Sequence, residues 1–429
     1  MNGGGKRMHE LAARLFPLCR SITGNGVRAT LGILKESLPL TVHEVPSGTR
    51  VFDWTVPPEW NINSAWIRDS KGNTIVDFSN NNLHVVGYSP PVDARLSLAE
   101  LQEHLHSIPE QPDAIPYVTS YYKERWGFCM AHRARKALAD GAYQVRIDST
   151  LAPGSLTYGE LILPGKSEKE VFLSTYICHP SMANNELSGP VVTAALANWL
   201  MSASHRYTYR IIFIPETIGS LAYLSKNLDV MKKNIIAGFN ITCVGDDCAY
   251  SYLPSRSGTT RADYAALRVL RARHPDFIRY SFLERGGDER QYCSPGVDLP
   301  VVSIMRSKYG TYPEYHTSLD DLRLVTPSGL QGGLDVLKEC IEWIENNPTY
   351  HAVHCGEPQL AKHGLYPTIV DSGGALSVDI PLLQNLQNVL AYADGAHDIP
   401  TIAEICNVPE ADIQSAVASL MEAGLLVDS

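Results

Sequence analysis

His179, Glu186, Glu216 and His316 are the residues of this chain whose types and positions could do chemistry together. They follow apolar runs. The run Val171–Ile177 (VFLSTYI) delivers Cys178-His179, and Glu186 and Ser188-Gly189 come next in the same segment. Arg210–Pro215 (RIIFIP) delivers Glu216, and Val301–Met305 leads into Tyr315-His316. Such runs read as buried parallel strands, and reactive groups collect where the carboxyl end of a strand meets a loop. Two imidazoles with carboxylates at strand ends form the donor set of a divalent metal site, with a carboxylate to take a proton from water.

His179 and His316 are the best candidate ligands, each with acidic residues nearby: Glu186 after the first, Asp320 and Asp321 after the second. Glu216 stands before Thr217-Ile218-Gly219-Ser220, a helix start, where it would act as general base or simply satisfy the helix dipole. Asp246 and Asp247 follow the run Ile235–Val244, and Asp288 and Glu289 lie in RGGDERQY. Any of these could ligate metal or bind a substrate amine, although charged loop residues are usually only solvated. Arg256, Arg285, Arg290 and Arg306 are candidate carboxylate forks. Tyr309, Tyr312 and Tyr315 precede His316, and a phenol near a metal can steady an oxyanion. Cys178 reads best as a small buried strand residue.

These groups need a scaffold of strands alternating with helices. Strands are expected at Tyr143–Ile147, Leu156–Leu163, Val171–Ile177, Arg210–Pro215, Ile235–Val244 and Val301–Met305. Helices are expected at Met8–Leu18, Gly24–Leu38, Trp126–Ala142, Gly189–Leu200, Leu221–Met231, Thr260–His274 and across Leu319–Glu345. This pattern predicts an α/β fold with a mixed, mostly parallel sheet flanked by helices. Residues 51–117 are rich in Trp, Val, Asn and Pro. Short runs at Ala65–Arg68, Thr74–Phe78 and Leu83–Val86, and a turn at Lys71-Gly72-Asn73, predict an inserted β-rich domain. The α/β domain is then discontinuous, 1–50 and 118–350. Helical runs at Pro381–Ala393, Thr401–Cys406 and Glu410–Ala423, then Leu425–Val427, predict a winged-helix unit over 364–429.

Composition narrows the partners. The chain has 429 residues, 44% of them hydrophobic, and a formal charge of −10, which disfavours nucleic acid and anionic membranes. From Gly364 onward there are nine Asp or Glu and no Lys or Arg, so the tail is expected to contact protein, a homodimer being one such use, rather than DNA phosphates. No run approaches the roughly 18 apolar residues of a membrane span, and MNGGGKRMHEL lacks the apolar core of a secretory signal. Nine scattered cysteines without a CxxC pair point to reduced thiols and a cytoplasmic location.

The stretches WTVPPEWNI (54–62), LHVVGYSPPV (83–92), STYICHPSMANNELSGP (174–190), GDERQYCSPG (287–296) and PEYHTSLDDL (313–322) carry a resemblance. It is to a bacterial aminopeptidase-like family with an inserted β-domain and a winged-helix tail. That family sits within the superfamily of zinc aminopeptidases and glutaminyl cyclases. The resemblance implies that His179 matches the first metal histidine, His316 the last, and Glu216 the general base. Where two-zinc members carry a bridging Asp ahead of Ser-Gly, this chain has Asn185; where they carry a second Glu, it has Thr217. Their remaining Asp corresponds to Ile241-Thr242-Cys243. Without those carboxylates two cations about 3.5–4 Å apart are not held. The expectation is one zinc per chain on His179, His316 and Glu186, with Asp246 and Asp288 in reserve and Asn185 a weak ligand or an orienting group.

The expected function is a mononuclear zinc hydrolase of an amide bond in a small peptide or aminoacyl substrate. Glu216 is its base, and Arg256, Arg290, Tyr309 and Tyr315 are the groups that could meet substrate. Two alternatives stay open: the same site used for amide formation or cyclisation, and a non-catalytic binding or scaffold protein.

Overall fold

The computed structural model describes residues 3–366 and 380–428. Its main sheet runs in the order Thr41–Pro46, Ser155–Leu163, Tyr207–Ile214, Ser167–Tyr176, Ile235–Asn240, Val301–Met305, Ser251–Leu253, Ile278–Arg279. The four strands from Tyr207–Ile214 to Val301–Met305 are mutually parallel, with antiparallel strands outside them.

Ser167–Tyr176 lies inside this parallel set, and every residue from 171 to 176 is buried. Its side chains alternate between two cores. Val171 and Leu173 pack with helices Gly3–Leu15, Ser188–Leu200, Arg261–Arg273 and Pro327–Asn346. Phe172 and Tyr176 pack towards helix Ile218–Asn234. Both faces are therefore apolar, which is why the sequence shows a continuous run rather than alternation. The polar exceptions are satisfied: Ser174 Oγ lies 2.7 Å from the Tyr292 hydroxyl, and Thr175 Oγ1 donates to Ile241 O at 2.9 Å.

A second, wholly antiparallel sheet has the order Thr74–Asp77, Glu59–Arg68, Ala142–Ala152, Val92–Ser97. The sequence-based limit at residue 117 placed the strand at 143–147 in the large domain. Its hydrogen bonds place it here, between Glu59–Arg68 and Val92–Ser97. Alternating burial, Tyr143, Val145 and Ile147 inward, suits any half-covered sheet, so the pattern alone could not assign it. The helix expected over Trp126–Ala142 shrinks to His132–Lys136, which buries no side chain and so has no apolar stripe to extend it. The run Leu83–Val86 is not a strand; residues Asn82–His84 form a 3₁₀ turn whose start is capped by the Asn81 side chain.

The tail begins earlier than residue 364. Thr349–Ala352 pairs with both Asp394–Asp398 and Leu426–Asp428, beside helices Ile380–Tyr392, Ile399–Cys406 and Glu410–Glu422. This is a winged helix with its own apolar centre of Leu386, Val389, Ile402, Ile413, Val417 and Leu420. Residues 367–379 of the span predicted for this unit lie outside the described residues. Among the described residues no helix is long and apolar enough to cross a membrane.

Candidate active site

The loops after the parallel strands build the site. After Ser167–Tyr176 the chain makes a π-helical turn, Ala183–Leu187, before helix Ser188–Leu200. Asp320 holds that turn from the His316 loop. Its carboxylate accepts from Asn184 N (2.6 Å) and Asn185 N (3.0 Å), and its carbonyl accepts from Ala183 N. Ser188 Oγ donates to Asn184 O and accepts from Val244 N. At Gly189 a β-carbon would meet Ile241 O at 2.3 Å and Thr175 Oγ1 at 2.4 Å, so the Ser-Gly pair is required by close packing of helix on sheet.

His179, Glu216 and His316 come together on one cavity of about 360 Å³, with Tyr117, Tyr121 and Arg290 among its walls. His179 Nε2 lies 3.6 Å from Glu216 Oε2, and the two imidazole centroids are 5.7 Å apart. Tyr117 sits edge-on to both rings, and Tyr315 stacks on His316 at 3.9 Å. Ser181, Thr217, Cys243 and His316 all have positive φ, between 29° and 63°. Strained backbone of this kind is held only where surrounding contacts over-determine it. At His316 those contacts come from the end of the insertion: Tyr117 N donates to His316 O at 2.8 Å, and Pro116 bridges Thr317.

Glu186 does not stand on the cavity side. Its Oε2 lies 2.7 Å from His179 Nδ1, while its Oε1 lies 3.3 Å from Arg20 Nε. Arg20 also donates to the carbonyls of His179 and Leu15. The carboxylate favours a proton on Nδ1 and directs Nε2 at Glu216. Glu186, expected as a direct ligand, here pairs its negative charge with Arg20. Cys178, His179 and Glu186 do bring donor atoms within 4.8 Å of one another, but the Arg20 guanidinium beside them repels a cation. Burial pushes the Cys178 thiol well up, so it stays protonated, and it accepts from Glu216 N.

The electrostatics separate the two histidines. Burial, helped by His179, drives His316 down to about 3, so its imidazole is neutral. Burial also opposes charge on His179, but Glu186 and then Glu216 outweigh it and raise its pKa. Burial raises Glu216, against the pull of His179 and Arg290.

Asp288 lies beneath the cavity floor. Its Oδ1 accepts from Thr217 N (2.7 Å) and Ser220 Oγ (2.9 Å), and burial with the nearby Glu216 pushes it up to about 8. It positions the strained Thr217 turn. Asp246 is spent on Asn184 Nδ2, Cys248 N and Ser307, and lines no part of the cavity. Arg256 pairs with Asp298 away from it, and Tyr309 is turned inward to Glu289 and Gly286 N. None of these three lines the cavity. Arg306 covers the Tyr250 ring, Arg285 covers Phe282, and Asp321 pairs with Arg323. Sequence reasoning missed Arg20, Tyr117 and Tyr121. The aromatic cluster YVTSYY at 117–122 was the available signal for the last two.

His179, His316 and Asn185 offer donor atoms of the kind that one divalent metal takes. His316 Nε2 and Asn185 Oδ1 are buried acceptors without a hydrogen-bond partner among the described residues. His179 Nε2 is turned by Glu186 towards the same cavity. Where a second metal would need carboxylates, Asn185 and Thr242 are neutral and bond to Tyr176.

A mostly parallel sheet with two histidines and a glutamate at its strand ends defines an aminopeptidase-like α/β protein. The chain is similar in fold to a zinc aminopeptidase from Bacillus subtilis, with a TM-score of 0.57 at 11% identity over 79% of this chain and 94% of that one. Residues 9–347 match the family described as a domain of unknown function, DUF4910, and residues 348–428 match a winged helix-turn-helix family. The chain belongs to the DUF4910 family. It is 45% identical, over 98% of its length and 96% of the other's, to a Clostridium acetobutylicum protein provisionally named for polysaccharide biosynthesis with an aminopeptidase-like domain. A crystal structure from Clostridium acetobutylicum, provisionally described as a peptidase, superposes with a TM-score of 0.82 at 42% identity, covering 100% of this chain and 97% of that one.

Proposed function

We propose that this protein is a mononuclear zinc-dependent hydrolase acting on an amide bond of a small peptide or aminoacyl-type substrate. The observation that carries this reading is the buried, neutral His316 Nε2, left without a partner among the described residues on the cavity that His179 and Glu216 share. His179 and His316 would hold the metal, with Asn185 Oδ1 as a neutral third donor. When bound, zinc supplies Lewis-acid polarisation of a carbonyl and a more acidic water.

The chain's own groups account for the rest. Glu216, raised by burial, takes a proton from the attacking water and passes it to the leaving nitrogen. The water oxygen bonds to the carbonyl carbon as the C–N bond breaks. Tyr117 and Tyr121, whose hydroxyls share a hydrogen bond of 2.5 Å, are the neutral donors available to the oxyanion. Arg20 and Glu186 hold His179 in one tautomer, and Tyr117 and Tyr315 hold the His316 ring.

A second reading is amide formation or cyclisation in the same site. The aromatic wall of Trp54, Tyr117, Tyr121 and Tyr122 favours it, because excluding water protects such reactions from hydrolysis. The Clostridium relative's biosynthetic name is in keeping with it. The winged-helix tail, tied to the large domain by Arg206–Asp428 and Arg268–Glu410 at 2.7 Å each, is proposed as a protein-contact element.

The test is metal content by inductively coupled plasma mass spectrometry with an amide turnover screen. About one zinc per chain, lost in His316→Ala, is expected. Glu216→Gln should keep metal while turnover drops about 10²-fold or more. Full turnover in Glu216→Gln would sink the base, and absence of zinc after loading would sink the mechanism.

A further inference from the structure

We infer that the cavity is built for amides carrying an anionic group, a carboxylate flanking the scissile bond, and that Arg290 is its anchor. This deepens the hydrolase reading and rests on it.

The charges on the cavity wall carry the argument. Its ionisable residues other than the buried Cys178 thiol and the tyrosines are His179, Glu216, Arg290 and His316. Glu216 is the single carboxylate among them, and it has the proton transfer to perform. A substrate presenting a free ammonium would have to bind at that base. Arg290 is in the opposite condition. Its Nη2 donates to Thr217 Oγ1, and no carboxylate pairs with it among the described residues. Two other arginines are taken: Arg20 by Glu186 and Arg256 by Asp298.

The acids next to Arg290 in sequence do not neutralise it. Asp288 faces Thr217 N and Ser220 Oγ. Glu289 is fully buried, and its oxygens accept from Gly286 N, Gly287 N, Asn240 Nδ2 and Tyr309. Metal ligation requires both imidazoles in the neutral form, so in the loaded site Glu216 and Arg290 give the wall one negative and one positive charge. A divalent cation on the imidazoles then leaves an excess of positive charge, which draws an anion in and repels an ammonium. The guanidinium fork matches a carboxylate in shape as well as charge. On the same cavity, Tyr117, Tyr121, Tyr122 and Trp54 offer ring faces and edges to an apolar or cyclic acyl part, in a space of about 360 Å³. An N-acyl amino acid, or a peptide read from its carboxyl end, has this layout. Its hydrolysis adds water across the C–N bond and releases the acyl acid and the amino acid.

The test uses three ligands of one shape, each with a sulfonamide in place of the amide so that nothing turns over. They are N-methanesulfonyl-L-phenylalanine, the uncharged alcohol with a hydroxymethyl group in place of the carboxylate, and the analogue with an aminomethyl group there. Calorimetric titration into the zinc-loaded full chain should show the anion binding about tenfold or more tighter than the neutral ligand, the cation weakest. Arg290→Gln should abolish the preference for the anion while leaving the neutral ligand within about twofold, and Arg290→Lys should restore part of it. Arg290 is exposed, and circular dichroism checks that each variant folds. The inference is overturned by a cation binding as tightly as the anion, by a preference that survives in Arg290→Gln, or by no binding of any of the three. Because no turnover is read, failure of the hydrolase reading would show elsewhere, as zinc-loaded protein that binds the anion and cleaves no amide.

Discussion

Arg20 and Glu186 meet at 3.3 Å with neither side chain reached by solvent, and the far oxygen of the same carboxylate holds His179. Removing one member of a buried pair leaves the other uncompensated, at a cost of about 3–5 kcal/mol. Arg20→Met should therefore unfold at markedly lower urea, and Arg20→Met with Glu186→Gln should recover part of the loss. Glu186→Gln alone should weaken zinc binding about 10–100-fold, since the carboxylate sets the imidazole's tautomer and direction. A chelator competition titration reads this; unchanged affinity would contradict the assigned role.

The backbone at His316 has φ 57°. Glycine tolerates that conformation and alanine does not, so His316→Gly and His316→Ala lose the same imidazole but differ in strain. In metal-free protein the glycine variant should be more stable, by about 1 kcal/mol in denaturant melts. Equal stability would mean that the loop relaxes once the ring is gone.

Asp288 makes stability depend on pH. Its folded pKa is pushed up from 3.8 to about 8, so the folded state binds more protons than the unfolded one between those values. Its contribution is therefore fully present below about pH 4 and is lost as pH rises towards 8, at a slope of no more than about 1.4 kcal/mol per unit. Asp288→Asn keeps an oxygen for Thr217 N and Ser220 Oγ and removes the charge. Metal-free Asp288→Asn should show a flatter pH–stability curve from pH 5 to 8 than the parent chain.

The tail carries no Lys or Arg from Gly364 to its end. Duplex DNA should leave the full chain unshifted in a gel even at about 50 mM salt, where cationic readers bind most tightly. A salt-sensitive shift would overturn the protein-contact reading.

The residues that follow buried runs were legible because a strand inside a parallel sheet announces itself by composition, and its end is where side chains reach a cavity. What lay outside local sequence was the use to which a side chain is put. Glu186 has the right type and spacing for a ligand, yet the π-helical turn carries it to the Nδ1 face of His179, where Arg20, 159 positions before that histidine, pairs with its charge. Asp246 and Tyr309 were equally plausible by type, and both are consumed by hydrogen bonds that only the assembled loops create. The strand Ala142–Ala152 shows the same limit for the fold: alternation fixes that a strand exists, not which sheet receives it.

The hydrogen bond from Tyr117 N to His316 O joins two functions in one piece of backbone. Tyr117 belongs to the aromatic wall and His316 to the proposed metal donors, so displacing either is expected to displace the other. Occupancy of the wall and occupancy of the donors are then thermodynamically linked, and the linkage is reciprocal: by whatever factor a wall-bound molecule alters metal affinity, metal alters that molecule's affinity by the same factor.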